Sequence, residues 1–299
     1  MAAEPSTHAS DWYTQAETSL TNLAEAVRTQ SVCALAEVRR VAAGVVASLS
    51  QNEILFVRAL TQQNTPSLIG NMIHTAIFST MIGQRMGYQR RELDRLAFAA
   101  LVHDVGMFRL SDEPLTKAGR WSDDDLVHLR RHPTLGSEWL AQAAGDDPWL
   151  HEVVAQEHER VDGSGYPHGL RGAQVHGFAQ IIAIADVLDA MLRSRPTRKA
   201  FQAHAAVRLL VSREKTAFSG GLLKTMIQLL SVFPVGTQVR LSSGEIGRVI
   251  RTNPGTQFRP VVAVTVDERG SPLPTPRLID LRQDPELRII EIFDITQWQ

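Results

Sequence analysis

The chain has 299 residues, of which 43% are hydrophobic and 21% are charged, and its formal net charge is -1. This composition is typical of a globular protein, and the length predicts two or three domains because it exceeds one small core. The near-neutral charge and the lack of a basic stripe exclude broad binding to polymeric nucleic acid, although a small nucleotide in one pocket is compatible with them. The single Cys33 excludes an intramolecular disulfide and a Cys-rich zinc site. Because no apolar run approaches membrane-spanning length, we expect a cytoplasmic protein that does not contact a membrane.

Residues 1–65 are predicted to form an N-terminal helical segment. Leu20, Leu23, Ala24 and Val27 recur at the spacing of one helix face. Two interpretations stay open: these helices serve in dimerisation or sensing, or they simply complete the hydrophobic core.

Residues 66–232 continue the helical pattern and form the predicted central domain. An apolar helix face leads directly into His103 and Asp104, and Gly106 is predicted to end that helix.

Further helix signals follow in the second half of the central domain. Ser122 opens a capping-box pattern for a helix that is predicted to carry both His128 and His132. Pro148 is predicted to start another helix that runs to His158, because proline is favoured in the first turn.

Residues 233–299 change to short β-prone runs separated by turns that contain glycine or proline. The predicted strands are 239–241, 247–250, 261–266, 278–281 and 289–293. We predict a small β-barrel or meander appended to the helical domain, so the fold class is mainly α.

The central domain carries a set of candidate metal ligands, since imidazole and carboxylate groups are ligands that first-row transition metals take. Asp186 lies in an otherwise apolar helix, where an unpaired carboxylate is costly and requires a cation or a strong donor. Glu157 and His158 are adjacent, so both reach one centre only near a helix end. The candidate ligands are His74, His103, Asp104, His132, Glu157, His158 and Asp186.

This number of oxygen and nitrogen ligands exceeds the need of one tetrahedral zinc ion. It suits two harder, octahedral ions such as Fe or Mn with a carboxylate between them. Two metals roughly 3.5–4 Å apart activate a shared water and neutralise charge on a phosphoryl group. The residues therefore indicate a metal-dependent hydrolase, and the Gly-rich loop from Gly163 to Pro167 would let a large substrate approach closely.

The segment from about His74 to Thr216 resembles the HD-GYP family of the HD superfamily, bacterial metal-dependent phosphodiesterases that hydrolyse cyclic di-GMP. The matching landmarks are, in chain order, His74, His103-Asp104-Val105-Gly106, Leu115 to Gly119, His132-Pro133, His158-Glu159, Asp162 to Pro167, Gly169-Leu170, Ile184 to Ala190 and Arg195 to Arg198.

The resemblance implies an α-helical HD-type domain over residues 66–232, with cyclic di-GMP hydrolysed to pGpG and GMP left open as a further product. His103 and Asp104 would be the catalytic residues. Asp104 would bridge two metals, and a hydroxide activated between them would attack phosphorus. The planar guanidinium groups of two arginines would suit the substrate phosphates, and a tyrosine would lie beside the guanine. These expected substrate contacts are Arg195, Arg198 and Tyr166.

Three positions depart from the family pattern. Met107 stands where the family usually has a lysine that points at substrate phosphate, so one cation is lost from the transition state. Glu157 stands where a histidine is usual and adds negative charge. Gly70 stands where some members place a glutamate for a third metal, so we expect two metals.

These departures leave two alternatives to an active phosphodiesterase. A weakened nucleotide-binding regulator would keep the site but turn over slowly. A signalling adaptor would bind a partner protein through the loop from Gly163 to Pro167. The family resemblance also suggests a homodimer.

Overall fold

A computed structural model describes residues 6–31, 35–51, 54–61, 67–110, 122–143, 147–194, 200–201, 203–230, 233, 235–253 and 259–293. Helices occupy most of these residues, and an antiparallel sheet follows them at the C-terminal end. The predicted class, mainly α with a C-terminal β-module, is confirmed.

The N-terminal helices are α1 (Ser6–Thr29), α2 (Leu35–Gln51) and α3 (Ile54–Thr61). The predicted apolar face of α1 is buried: Leu20 and Leu23 have no exposed surface. Helix α1 packs on α2 and on the helix that begins at Leu68, and the buried residues of α1, α2 and α3 belong to the same hydrophobic core as the central helices. The N-terminal helices therefore help to support the elements that carry the candidate ligands.

Three helices form the centre of the helical part: α4 (Leu68–Arg85), α5 (Arg90–Val102) and α9 (Gly177–Leu192). Ser67 caps α4, because its Oγ accepts a hydrogen bond from the Gly70 N–H at 3.0 Å. Helix α9 has buried residues on most of its circumference, as expected for a helix enclosed by others. Helix α10 (Ala203–Arg213) packs on α9, and helix α11 (Gly220–Leu230) packs on α10 and α4.

The connection between α5 and the next element differs from the sequence prediction. Helix α5 ends at Val102, and a short 3₁₀ helix, Val105–Arg109, contains Gly106. The prediction that Gly106 ends the helix was wrong, and the reason for a glycine here is close packing. A Cβ at position 106 would overlap the backbone carbonyl of His132, so only glycine lets the two segments come this near.

The helix predicted to carry both His128 and His132 is in fact two helices, α6 (Asp123–Leu129) and α7 (His132–Ala143). The Ser122 capping box of α6 is present: Ser122 Oγ accepts from the Asp125 N–H, and the Asp125 carboxylate accepts from the Ser122 N–H. The break follows from Pro133, which lacks an N–H for the preceding helix but fits the first turn of a new one.

Helix α8 (Pro148–Ala155) begins at Pro148 as predicted, but it ends three residues before His158. Glu157 and His158 lie in the turn that follows. The predicted extension to His158 was wrong. The next residue, Glu159, is bound to the Gly-rich loop, because its carboxylate accepts hydrogen bonds from the backbone N–H groups of His168 and Leu170 at 2.6 and 2.9 Å.

The C-terminal module is a five-stranded antiparallel sheet with strand order β4-β3-β2-β1-β5. Strands β1 to β4 form a meander, and β5 returns to pair with the free edge of β1. The sheet is open, so of the two predicted forms the meander is correct and the barrel is wrong. The strands are β1 (Gln238–Leu241), β2 (Ile246–Arg251), β3 (Val261–Val266), β4 (Pro272–Asp280) and β5 (Ile289–Phe293).

Among the described residues, none of the helices combines the length and the apolar character that crossing a membrane requires.

Replacing Gly106 by Ala is expected to lower the free energy of unfolding by about 1–3 kcal/mol, because an added methyl group forces the 3₁₀ helix and α7 apart. Urea denaturation followed by circular dichroism measures the change. Gly221→Ala is a matched control, since a Cβ there meets no heavy atom within 4 Å and a helical Gly→Ala change is neutral or stabilising by up to about 1 kcal/mol. Equal destabilisation by both variants would contradict the packing argument.

Candidate metal centre

Four side chains converge on one point of the helical part: Asp104, His132, Glu157 and His158. Each offers one ligand atom, and these atoms all lie within 4.8 Å of one another. The Nε2 atom of His132 lies 3.2 Å from Asp104 Oδ1, 3.1 Å from Glu157 Oε1 and 3.0 Å from His158 Nε2. Such a group of imidazole and carboxylate ligands can hold a metal ion.

His103 borders this group on the opposite side of Asp104. Its Nε2 lies 3.5 Å from Asp104 Oδ2 and 3.8 Å from Glu157 Oε2. Its Nδ1 lies 2.8 Å from the backbone carbonyl of Ala100, and the Nδ1 of His132 lies 2.6 Å from that of Leu129. Because a carbonyl only accepts, both rings donate from Nδ1, which directs the lone pair of Nε2 into the centre.

Several buried atoms of the centre have no hydrogen-bond partner within the described chain. They are His103 Nε2 and both carboxylate oxygens of Glu157. Glu157 is only 2% exposed, so water does not solvate its charge. A buried carboxylate without compensation is strongly unfavourable, and a bound cation would compensate it. The residues present therefore fit a metal ion.

The pKa values of these groups follow from burial and mutual charge. Burial raises the pKa of Glu157 to about 7, with Asp104 adding to the rise. Burial alone would lower the pKa of His132, but the Glu157 and Asp104 carboxylates outweigh it and raise the pKa to about 9. Burial and the neighbouring His132 hold the pKa of His158 well below its ordinary value. His158 is thus neutral and ready to ligate at neutral pH, whereas His132 must lose a proton first.

Asp186 approaches the centre from α9. Its Oδ1 accepts a hydrogen bond from Asn71 Nδ2 at 2.9 Å. Burial raises the pKa of Asp186; the charge of His103 opposes this rise and that of Asp104 adds to it. The assignment of Asp186 as a metal ligand stays a prediction.

His74 makes its described contacts elsewhere. Its Nε2 lies 2.8 Å from the Tyr13 hydroxyl. Its Nδ1 lies 3.2 Å from Asp189 Oδ1 and contacts Arg193 Nη2. Both ring nitrogens therefore already have partners, and the assignment of His74 as a metal ligand stays a prediction.

Tyr166 lies against the centre, as its predicted place beside the substrate requires. Its ring stacks on His158, with centroids 4.7 Å apart and planes 18° apart, and the Arg130 guanidinium lies 5.4 Å from the ring centroid. Burial raises the pKa of Tyr166, with Glu157 and Asp104 adding to the rise. The hydroxyl therefore stays protonated, which agrees with a residue that takes no part as an acid or base.

The loop that carries Tyr166 is closely tied to the centre. Tyr166 N–H donates to the His158 carbonyl, and the buried Glu159 carboxylate accepts two backbone N–H groups from the far side of the loop. At Gly165, a Cβ would overlap the backbone of Glu159 and Arg160. The Gly-rich sequence thus lets the loop lie directly on the segment that supplies Glu157 and His158.

The two predicted phosphate-binding arginines, Arg195 and Arg198, and the landmark from Leu115 to Gly119 lie outside the described residues.

Sequence reasoning missed two residues that the structure brings to the centre. Glu159 orients the loop, and Asn71 contacts Asp186. The sequence did contain a signal for Asn71, which is the single amide in the apolar run Leu68 to Ile73. Because Asn71 lies one helical turn before His74, the two side chains face the same side of α4. Glu159 belonged to a landmark of the family resemblance, but nothing in the sequence indicated its role, since its partners are backbone N–H groups.

The sequence model of the HD domain family matches residues 55–221, more than half of the chain. The chain belongs to the HD domain family. A second model, described as a KOW domain associated with HD domain, matches residues 238–299 and so covers the sheet.

Three similar proteins fit this membership and the HD-GYP resemblance. A Pseudomonas aeruginosa protein named cyclic di-GMP phosphodiesterase is 33% identical over 184 residues, covering 61% of this chain and 44% of its own length. A Vibrio cholerae protein named 3'3'-cGAMP-specific phosphodiesterase 1 is 35% identical over 117 residues, covering 39% of this chain and 27% of its own. A solved HDG"Y"P protein of Bdellovibrio bacteriovorus shares the fold, with a TM-score of 0.64 at 17% identity over 77% of this chain and 74% of that one. The chain spans half or less of the length of the curated relatives it matches.

Metal binding is expected to release protons and to tighten as pH rises from about 7 to about 9. His132, with its pKa of about 9, and Glu157, with its pKa of about 7, must both be deprotonated to ligate. Anaerobic titration calorimetry with Mn(II), repeated in buffers of different ionisation enthalpy, counts the protons. An affinity independent of pH across this window would contradict the argument.

Proposed function

We propose that this HD domain protein is a metal-dependent phosphodiesterase that hydrolyses cyclic di-GMP to pGpG, with two divalent ions, Fe or Mn, as cofactors. The observation that carries the proposal is the group of Asp104, His132, Glu157 and His158, in which the Glu157 carboxylate is buried and unpartnered, with the unpartnered Nε2 of His103 beside it. The relatives support the substrate class, because the names of both curated ones describe phosphodiesterases of cyclic dinucleotides.

The geometry of Asp104 supports two metals rather than one. Its Oδ1 faces His132 at 3.2 Å, and its Oδ2 faces His103 at 3.5 Å. His158 lies on the His132 side, whereas Glu157 faces both histidines, with Oε1 3.1 Å from His132 and Oε2 3.8 Å from His103. A carboxylate with one oxygen toward each set of ligands is suited to bridge two ions.

When bound, the two ions supply an activated water and positive charge toward the phosphoryl oxygens. The chain supplies their ligands and positions the substrate. Tyr166 and His158 form a stacked pair at the edge of the centre, where an aromatic face can meet a guanine ring. Arg195 and Arg198 are proposed to hold the phosphates, since guanidinium groups bind phosphate oxygens in bidentate fashion.

Two of the sequence departures act on this chemistry. Glu157 places a carboxylate in the centre in addition to Asp104 and Asp186, so the ions are weaker Lewis acids and an anionic substrate is repelled more strongly. Met107, half-buried in the 3₁₀ helix three residues after Asp104, provides no charge. These features favour slower turnover than that of a centre with histidine and lysine at these places.

The first experiment is product analysis with protein loaded anaerobically with Fe(II) or Mn(II). Incubation with cyclic di-GMP is expected to give pGpG, and Asp104→Asn is expected to abolish it because the bridging charge is lost. Asp94→Asn is the matched control, since Asp94 forms an ion pair with Arg90 on α5, at 2.8 Å. A parallel incubation with 3'3'-cGAMP separates the two substrates. Absence of product from metal-loaded wild type would overturn the proposal.

The double substitution of His103 and Asp104 by Ala distinguishes the alternatives. It abolishes hydrolysis by an enzyme and weakens nucleotide binding by a metal-dependent regulator. An adaptor that uses only the loop from Gly163 to Pro167 would still bind its partner protein.

Met107→Lys is expected to raise the rate of hydrolysis by about 10- to 100-fold, because it adds one cation at the position where the family usually has it. Steady-state kinetics should place the gain mainly in kcat. Met86→Lys is the matched control: Met86 is 42% exposed at the end of α4, and its replacement should leave kcat unchanged. An equal effect of both lysines would show that only the net charge matters.

A further inference from the structure

We infer that Asn71, rather than His74, is the residue of α4 that serves the metal centre: its Nδ2 holds Asp186 in place and its Oδ1 is a neutral oxygen ligand. The inference rests on the proposed metal-dependent function and adds a residue to the ligand set.

The contacts of Asn71 fix the orientation of its amide. Nδ2 donates to Asp186 Oδ1 at 2.9 Å and to Asp189 Oδ2 at 3.1 Å. Carboxylate oxygens only accept hydrogen bonds, so the amide cannot be turned round without placing its oxygen against two anions. Oδ1 is thereby directed away from Asp189 and Asp186.

This oxygen is buried and accepts no hydrogen bond from the described chain. Three hydroxyl oxygens are also buried without a hydrogen-bond partner in the described chain, those of Ser19, Thr75 and Ser79. Each of these hydroxyl groups can rotate toward a backbone carbonyl one helical turn away. The other buried side-chain atoms without a hydrogen-bond partner in the described residues belong to Asn71, His103 and Glu157. Since the last two lie in the centre, the unpartnered amide oxygen beside Asp186 points to the same cause.

An amide oxygen is suitable chemistry for this place. Hard divalent ions accept neutral carbonyl oxygens of Asn alongside carboxylates. With Asp104, Glu157 and Asp186 already contributing negative charge, a neutral oxygen adds a ligand without further repelling an anionic substrate.

His74, one turn further along α4, is committed to a different task. It is 3% exposed, with Tyr13 at one ring nitrogen and the Asp189–Arg193 ion pair at the other. Ligation by His74 would break one of these buried contacts. Its position instead orders Asp189, the second carboxylate that Asn71 contacts.

The test measures metal directly, so it does not depend on turnover. Wild type, Asn71→Leu, Asn71→Asp and His74→Phe are loaded anaerobically with Mn(II) and desalted. The bound metal is counted by mass spectrometry, and affinities are obtained by calorimetry. Asn71→Leu keeps the size of the side chain but removes the oxygen, and we expect about 10- to 100-fold weaker binding of one ion. Asn71→Asp and His74→Phe should keep the wild-type count.

A thermal readout guards against variants that merely fold poorly. Asn71→Asp adds a carboxylate beside Asp186 and Asp189, so its metal-free form should melt below wild type and recover when Mn(II) is added, because an ion that binds only the folded state stabilises it. Wild-type affinity in Asn71→Leu, or a greater loss of affinity in a well-folded His74→Phe than in Asn71→Leu, would overturn the assignment of Asn71 but leave the proposed function intact. Wild type that binds no metal would overturn both.

Discussion

The arrangement of the helical part depends on bringing like charges together out of water. Glu157 is buried, Asp104 lies within a few ångströms of it, and Asp186 on α9 lies near enough for the charge of Asp104 to act on it. Three carboxylates in one place repel one another, and once the imidazoles have lost their protons to act as ligands they no longer offset that charge. Such a centre depends on the surrounding fold, and bound cations would compensate its negative charge. The backbone segments that carry the ligands must therefore be prevented from moving apart.

Two close approaches provide that resistance. At Gly106 the 3₁₀ helix after Asp104 touches the carbonyl of His132, which fixes the separation between those two ligands. At Gly165 the Gly-rich loop lies on the backbone of Glu159, whose carboxylate in turn holds the loop. The glycines therefore act on the centre although neither has a side chain in it, because each sets a distance between segments that carry ligands.

The sequence predicted most of the secondary structure and most of the convergent residues. Strong local signals succeeded: Pro148 at a helix start, the Ser122 capping box, and the run of β-branched residues in β3. Local reasoning failed where tertiary contacts decide. In the sequence Gly106 looks like a helix end because glycine commonly marks one. The structure shows another reason for the glycine, since the neighbouring carbonyl of His132 leaves no room for a side chain. Asn71 was overlooked because an amide is a weaker ligand type than the imidazole of His74, and only the position of Asp186 distinguishes them.

The contact between Tyr13 and His74 links the first helix to the centre. From Tyr13, hydrogen bonds and ion pairs run through His74 to Asp189, and from there through Asn71 to Asp186. Affinities that are coupled through such a chain change reciprocally. A displacement of α1 that withdrew the Tyr13 hydroxyl would alter the hydrogen bonds that hold Asp186, and a metal ion bound by Asp186 would in turn stabilise the position of α1 by the same free energy. The N-terminal helix is in this sense part of the equilibrium that fills the centre.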